Sequence, residues 1–368
     1  MRFDKSEAWN KELLSKYAKK ITSKNKNNSI ENIICNSAQN GLIQQKDFFD
    51  RTIVNNENTE NYYIIEQGDF VYNPRKSVTA PYGPVNVYEY ENLGIVSPLY
   101  LCFKVDGIDK KFLNYYFKSS AWYKYIYENG DSGARHDRVS IKDDVFLAQP
   151  IIVPNLTTQN KVASFLSKID ERIETQSKII EKLQSQMLAI YHQVFSQLKS
   201  EVLPLAKLCS LQKGTQVNGI SLFENGPYYF MNGGIVPSGF YNEWNTETDT
   251  ISISEGGNSC GYVQYNKERF WSGGHCYTLQ NLNKVSVRYL YHFLKSHEKD
   301  IMRLRIGTGL PNIQKKDLEQ FLIKVPSLLE QERLVQLLDS FELKIETEEN
   351  LFKKYKEQKK FLLSNMFI

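Results

Sequence analysis

The chain has 368 residues, of which 41% are hydrophobic and 24% charged, and its formal net charge is +4. That length supports two or three domains with real cores, and that composition is ordinary for a globular protein, so neither disulfide staples nor metals are required. The mild positive charge permits a nucleic-acid partner without arguing for one, so local clusters must carry that case.

The N-terminal stretch has no apolar h-region, and no apolar run approaches the length of a membrane span, which predicts a cytoplasmic protein. The five cysteines, Cys35, Cys102, Cys209, Cys260 and Cys276, form no Cys-x-x-Cys pair and read as free thiols in a reducing compartment. Cys260, His275 and Cys276 offer metal-ligand chemistry, but small buried residues in a β-rich region explain them better.

Residues 1–153 form a first mixed module. Tyr62-Tyr63-Ile64-Ile65, Phe70-Val71-Tyr72 and Tyr100-Leu101-Cys102-Phe103 read as strands, and Asn73-Pro74 and Pro81-Tyr82-Gly83-Pro84 as turns. A short helix is expected at 109–126. A Gly-containing loop at 130–133 and a short apolar strand at 149–153 lead to Pro154.

A long helix follows within 154–199. Val162, Leu166, Ile169, Ile173, Ile180, Leu183, Met187, Ile190 and Val194 alternate steps of four and three, with Gln176 filling the one polar position. That is the heptad seam of a helix packed on another long helix. Asn155 stands at its N-cap place.

Residues 200–325 form a second mixed module. Its strands are expected at Thr250-Ile251-Ser252-Ile253 and Tyr277-Thr278-Leu279, its turns at Asn232-Gly233-Gly234 and Gly256-Gly257-Asn258, and a helix at 286–301. A glycine loop around Gly307 and Gly309 and a strand at 321–325 again end in Val-Pro. The last segment, 326–368, repeats the long helix. Its seam is Leu334, Leu338, Phe341, Ile345, Phe352, Tyr355, Leu362 and Met366, with Glu348 and Lys359 as polar exceptions. Ser327 and Glu330 form a capping-box pattern at its start.

The two helices align without a gap at an offset of 172 residues, and ten of the 42 aligned positions are identical. Glu348 then falls opposite Gln176 in the alignment, so both seams carry a polar residue at the same height. A functional role, register control or a contact with another subunit, and simple tolerance of a long side chain explain this equally well. Each helix can run about 40 residues, or roughly 60 Å. Two such helices in one chain most simply pack antiparallel on each other, with a module at either end. The fold class is therefore α+β: two mixed modules joined by two long helices in an antiparallel coiled coil.

Catalytic signatures are missing from the sequence. There is no Walker A loop, no Gly-x-Ser-x-Gly elbow and no His-Glu-x-x-His. Gly256-Gly257-Asn258-Ser259-Cys260-Gly261 does not match the dinucleotide fingerprint, and Asp143-Asp144 reads as solvated charge. The chain is expected to carry no chemistry of its own.

Basic and amide residues sit in corresponding loops of the two modules. The first has Lys24 and Lys26, in a run with Lys16, Lys19 and Lys20, then Arg75 and Lys76, then Arg135, His136 and Arg138. The second has Lys213, Asn232, Asn258, Lys267, Arg269, Arg303 and Arg305. Arg on a rigid loop suits bidentate reading of guanine, Asn suits adenine, and Lys suits phosphate. For any one residue, surface solubility is the better account; the repeated pattern makes them candidates for DNA binding.

At this point the chain resembles a known family, the specificity subunits of type I restriction–modification systems. The resemblance is carried by Gly68-Asp69-Phe70-Val71-Tyr72-Asn73-Pro74 and Ser97-Pro98-Leu99-Tyr100 in the first module. Pro154, Gln159 and Leu166, repeated as Pro326, Gln331 and Leu338, carry it at the two helix starts. Phe230-Met231-Asn232-Gly233-Gly234-Ile235 and Gly307-Thr308-Gly309 carry it in the second module. The match runs through nearly the whole chain: target recognition domain, helix, target recognition domain, helix. The resemblance implies that each recognition domain reads one half of an asymmetric, bipartite site in double-stranded DNA. It implies that the helices set the spacer and dock two modification subunits, which use S-adenosylmethionine to methylate adenine. Restriction subunits that use ATP and Mg2+ can join. The chain itself would hold no cofactor and no metal. The competing reading is a coiled-coil scaffold that presents two ligand-binding domains to protein partners, without DNA specificity.

Overall fold

A computed structural model describes residues 9–48, 59–131, 136–219, 222–307, 309 and 311–367. The chain folds as two compact units, Met1–Thr175 with Phe352–Ile368 and Gln176–Leu351. Each long helix, Leu156–Gln197 and Leu328–Met366, gives one part of its length to each unit.

In the first unit a four-stranded antiparallel sheet runs in the order Ala18–Lys20, Leu101–Val105, Phe70–Tyr72, Val85–Val87. Phe70, Val71, Tyr72, Cys102 and Phe103 are all buried, so the central strands read as continuous apolar runs rather than alternating ones. Hairpin Ile34–Ser37/Gly41–Gln44 and pair Tyr63–Ile65/Gly94–Val96 lie beside it. Asn10–Leu13 pairs antiparallel with Pro150–Val153, which ties the start of the module to the strand before the long helix.

The helix expected at 109–126 is two helices, Lys110–Lys118 and Tyr123–Asn129. Ser119 turns extended between them, and the break lets Trp122 sink to 2% exposure with its indole N–H donating to the Phe117 carbonyl (3.1 Å). The second module repeats the event: 286–301 divides into Val287–Ser296 and Glu298–Arg303 at His297, whose ring stacks on Phe293 (4.4 Å).

The second unit has the same sheet order, Ser210–Lys213, Cys276–Gln280, Thr250–Ser254, Val263–Asn266. A three-stranded sheet, Gly239–Tyr241, Tyr228–Met231 and Phe270–Ser272, includes one parallel pair. Glu201–Pro204 pairs with Leu322–Val325 as its counterpart does in the first unit.

Within each unit the long-helix segments run antiparallel. In the first, Asp170 meets Lys359 and Arg172 lies over the Tyr355 ring (5.2 Å), so rising numbers on one helix meet falling numbers on the other. There Leu166 and Ile169 are buried, and Ile173 and Leu362 pack partly buried against the same core. In the second, Ile180, Leu183, Met187 and Leu338 are buried, with Phe341 and Ile345 half-buried beside them. Phe352 and Tyr355 are half-buried.

The polar seam residues find each other. Gln176, 6% exposed, donates to the Glu348 carbonyl (3.2 Å) and carboxylate (2.5 Å). That pairing satisfies a buried amide only in one register, which favours register control over mere tolerance. Lys359, the other exception, pairs with Asp170, which also accepts from the Tyr115 hydroxyl (2.7 Å).

The helix starts are capped as expected by Asn155, which accepts from Thr158 N–H (2.9 Å), and by Ser327, which accepts from Glu330 N–H (3.3 Å). The Glu330 carboxylate faces Arg333 (3.8 Å) instead of closing the capping box.

Candidate nucleic-acid interface

The first module's candidate loops come together through backbone. The loop after strand Phe70–Tyr72 is bonded to the segment carrying Arg138: Val139 N–H donates to the Pro74 carbonyl (2.9 Å), and Lys76 N–H to the Asp137 carbonyl (2.8 Å). Arg75 is thereby bridged to Arg138. Asn73 shapes the loop from inside, accepting from Arg75 N–H (3.0 Å) and donating to the Asn36 carbonyl (3.1 Å). Asn36, 5% exposed, in turn donates to the Val71 and Pro84 carbonyls. Gly83 sits at φ +85°, where an added Cβ would meet the Asn73 carbonyl oxygen at 2.1 Å, so only glycine allows this approach.

These elements border an open cleft of about 530 Å³ lined by Asn36, Gln45, Arg75, Ser97, Tyr100 and Arg138. Asp137 lies 3.9 Å from the Arg75 guanidinium and 3.8 Å from that of Arg138, too far for a hydrogen bond to either. The Arg138 Nε is buried and has no hydrogen-bond partner among the described residues.

The second module makes the same cross-link. Ile313 N–H donates to the Glu255 carbonyl (2.8 Å) and Gly257 N–H to the Pro311 carbonyl (3.0 Å), with Gly256 bridged to Asn312. Gly256 thus occupies the place of Arg75, Gly257 that of Lys76, and Asn312 that of Arg138. A cleft of about 400 Å³ opens here among Lys213, Asn232, Glu255, Gly256, His275 and Asn312. Glu255 accepts from Lys213 (2.6 Å) and from the Tyr277 hydroxyl (2.9 Å), which balances its charge. Asn232 accepts from His275 N–H (3.1 Å). Asn258 is exposed on the loop beyond Gly257. Arg305 is exposed next to Ile306, whose backbone pairs with Asn312.

Other basic candidates lie elsewhere. Lys24 lies over the Tyr63 ring (5.8 Å), and Lys26 is exposed beyond it. Lys16 is held by Glu12 (2.9 Å) and Lys20 by Asp143 (2.5 Å), so the basic run is partly neutralised. Lys267 reaches Glu346 on the second long helix (3.2 Å), which engages it in holding module to helix. Arg269 pairs with Glu247 (2.9 Å) and covers Trp244 (4.4 Å), and Arg303 pairs with Asp300 (2.7 Å). His136 is exposed two residues before Arg138, and Arg135 falls outside the described residues. Asn36, Glu255 and Asn312 were not among the sequence candidates, and His275 was weighed there only as a metal ligand. Asn312 follows a proline in a glycine loop and reads as an ordinary turn residue; only its hydrogen-bonded neighbours reveal its place.

Among the described residues one group has metal-ligand types, His292, Asp339 and Glu342. The Arg288 guanidinium bonds to both carboxylates (Asp339 at 2.5 Å), Tyr191 hydroxyl to His292 Nδ1 (2.9 Å), and His292 Nε2 to Asp339 (2.7 Å). The cation's place is already taken, and the geometry is that of an ion-pair network between module and helices. Burial pushes the His292 imidazole below 6.5 with help from Arg288, against the pull of its Asp339 hydrogen bond. Burial would raise Asp339, but hydrogen bonds from Arg288 and His292 outweigh it and hold the carboxyl below 3.8.

Both shifts remove stability as pH falls. The buried neutral imidazole disfavours folding once its unfolded counterpart protonates below 6.5, and the ionised Asp339 loses its contribution below 3.8. The melting midpoint of the full chain should therefore decline below about pH 6.5, and His292→Gln should flatten that first slope. An unchanged slope in His292→Gln chain would assign it to other groups.

The thiols are poor nucleophile candidates. All five are free, and burial raises Cys209 to about 12 and Cys276 to about 11. Cys276 accepts from Gly233 N–H (3.0 Å) and Cys260 faces the Glu255 carbonyl, in keeping with small buried packing residues. No described helix is long and apolar enough to cross a membrane.

A family model described as the type I restriction modification DNA specificity domain matches residues 9–185 and again 198–355. A Mycoplasma pneumoniae protein named as a type I specificity subunit is 38% identical over 145 residues, 39% of this chain and 38% of that protein. A similarly named Mycoplasma genitalium protein is 33% identical over 142 residues, 38% of this chain and 37% of that protein. The chain thus matches little more than a third of the length of these relatives. The crystal structure of a type I restriction–modification system S subunit from M. genitalium shares the fold, with a TM-score of 0.64 at 18% identity, covering 100% of this chain and 98% of that one.

Proposed function

Since this chain belongs to the type I restriction–modification DNA specificity family, we propose that it is the sequence-reading subunit of a DNA-modifying complex, each module reading one half of a bipartite target. One observation supports this above the rest. Both modules join the same two loops by the same pair of backbone hydrogen bonds, yet present different side chains there. A conserved frame with different tips suits two unlike DNA segments, because frame bonds position the loops and side chains at their tips read base edges.

In this reading the chain binds double-stranded DNA and performs no chemistry. The long helices set the spacer and dock two modification subunits, which bring S-adenosylmethionine; restriction subunits bring ATP and Mg2+. Arg75, Lys76, His136 and Arg138 serve the first half-site, and Lys213, Asn232, Asn258 and Arg305 the second. Lys24, Lys26, Arg269 and Arg303 serve as phosphate contacts that exchange exposed, weak ion pairs or solvent for DNA.

The test is to express the chain with its neighbouring modification subunit in a methylation-free host and to map methylated adenines. A split motif with two short specified parts and a fixed gap is the expected result. A stable purified complex that methylates nothing, or methylates without sequence preference, counts against it.

A further inference from the structure

We propose that the two modules read different bases from one shared loop position: Arg138 reads a guanine in one half of the target, and Asn312 an adenine in the other. The inference rests on the specificity-subunit reading above and adds the base chemistry of each half.

The equivalence is geometric. Arg138 and Asn312 each lie one residue before the N–H donor of one cross-link bond and one residue after the carbonyl acceptor of the other. Each is bridged to the loop that follows the central strand of its sheet. The backbones are therefore held alike, and the side chains differ.

Arg138 lines its cleft with a donor and no matching acceptor. Its Nε is buried without a partner among the described residues, and the nearest carboxylate, Asp137, stays at 3.8 Å. Arg75 and Lys76 add positive charge at the same edge. The Arg138 side chain is 32% exposed, so a base edge in the cleft meets the open part of the guanidinium and not the buried Nε. In the major groove guanine offers two adjacent acceptors, O6 and N7, which fit a guanidinium fork.

Asn312 stands in a different field. Its backbone N–H and carbonyl are both tied to Ile306 (3.0 and 2.8 Å), so its Cα is held in place. Its exposed side chain has no hydrogen bond to other described residues and borders the second cleft. Facing it is Gly256, where a Cβ would come within 4.0 Å of the Asn312 Cβ and of His275 Nδ1, so the missing side chain leaves room for a base edge. Gly257, in the place of Lys76, has open space around it. Lys213, which lines the cleft, is balanced by Glu255. A near-neutral cleft with an amide suits an edge that offers one acceptor and one donor, as adenine N7 and N6 do.

The experiment compares the methylation motif of the assembled complex for the unaltered chain, Arg138→Lys, Arg138→Ala, Asn312→Ala and Asn312→Ser. Arg138→Lys keeps the charge but not the fork, so it separates base reading from phosphate contact. Expected is a drop in discrimination on the order of ten- to a hundredfold at a single G·C pair of one half for both Arg138 variants. Both Asn312 variants should cause a similar drop at a single A·T pair of the other half. A motif unchanged in Arg138→Lys and in both Asn312 variants would overturn the inference, as would relaxation of the same half by both sites or at the opposite kind of base pair. Each of those results leaves the unaltered chain's split motif standing; only loss of that motif would strike the specificity-subunit reading as well.

Discussion

Phe367→Ala should destabilise the first unit by about 3 kcal/mol, although the residue stands next to the end of the chain. Phe367 is 1% exposed and packs edge-on against Phe112 (5.4 Å) and Tyr116 (5.8 Å) of the helix Lys110–Lys118. Truncation removes a full aromatic contact surface and leaves a cavity between two helices. The equivalent residue at the 172-residue offset is Phe195, 3% exposed, which packs on Tyr289 (6.1 Å) and Phe293 (5.2 Å) in the second unit. Phe195→Ala should have an effect of similar size there. Phe361, 66% exposed on the helix that ends just before Phe367, is the control, and its replacement by Ala should change stability by less than about 0.5 kcal/mol. Urea unfolding of the full chain measures all three. Equal, small shifts for Phe361 and Phe367 would show that the helix end does not anchor the unit.

Gln331→Ala should cost about 3 kcal/mol and Gln159→Ala about 2, because each removes several buried hydrogen bonds at once. Gln331 is fully buried; it accepts from Ser286 N–H (2.8 Å) and donates to the Lys284 (2.9 Å) and Pro326 (3.1 Å) carbonyls. Gln159 accepts from Asp109 N–H (2.8 Å) and donates to the Pro154 carbonyl (2.7 Å). Asp109 and Ser286 are the N-caps of matching helices in the two modules. The amide is the right group because the site needs one acceptor and one or two donors on the same side chain. Gln331→Glu can still accept from Ser286 but can no longer donate to the two carbonyls, so it should be at least as damaging as Ala in denaturant unfolding. A mild effect of Gln331→Glu would mean that water replaces the lost donor.

The Pro–x4–Gln pattern at both helix starts therefore has a structural reason. The Gln bolts the first turn of each long helix to the short helix of the module before it, and the phenylalanine at the far end of the other long helix packs against that same short helix. Each module is held from two sides by two different helices. The repeat and its identical Pro, Gln and Phe positions were legible in the sequence. The clamp was not, because its second half comes from a helix that belongs to the other repeat.

The candidate site divides in the same way. Arg75 and Arg138 could be named from residue type, and the sequence placed them in two separate loops. The loop that carries Arg75 is shaped by Asn73, which donates to Asn36, and by Asn36, which donates to Val71 and Pro84, all contacts remote in sequence. Lys267 looked equal to its neighbours until Glu346 on the long helix was seen to hold it. Asn312 was passed over for the opposite reason: nothing in its flanking residues separates it from a turn.

By itself the sequence determined the elements that depend on neighbours within a turn or two. These are the two long helices with their seams and caps, the central strands, and the doubling of module and helix. Periodicity and capping are local physics, so they survive in a string of letters. The tertiary structure decided the rest. It broke each short helix to bury Trp122 or stack His297, made Gln176 and Glu348 partners, and set Arg138 and Asn312 at one shared position. Each of these outcomes depends on which polar group finds its hydrogen-bond partner across a fold, and a buried polar group is settled by its distant neighbours, not by its own type.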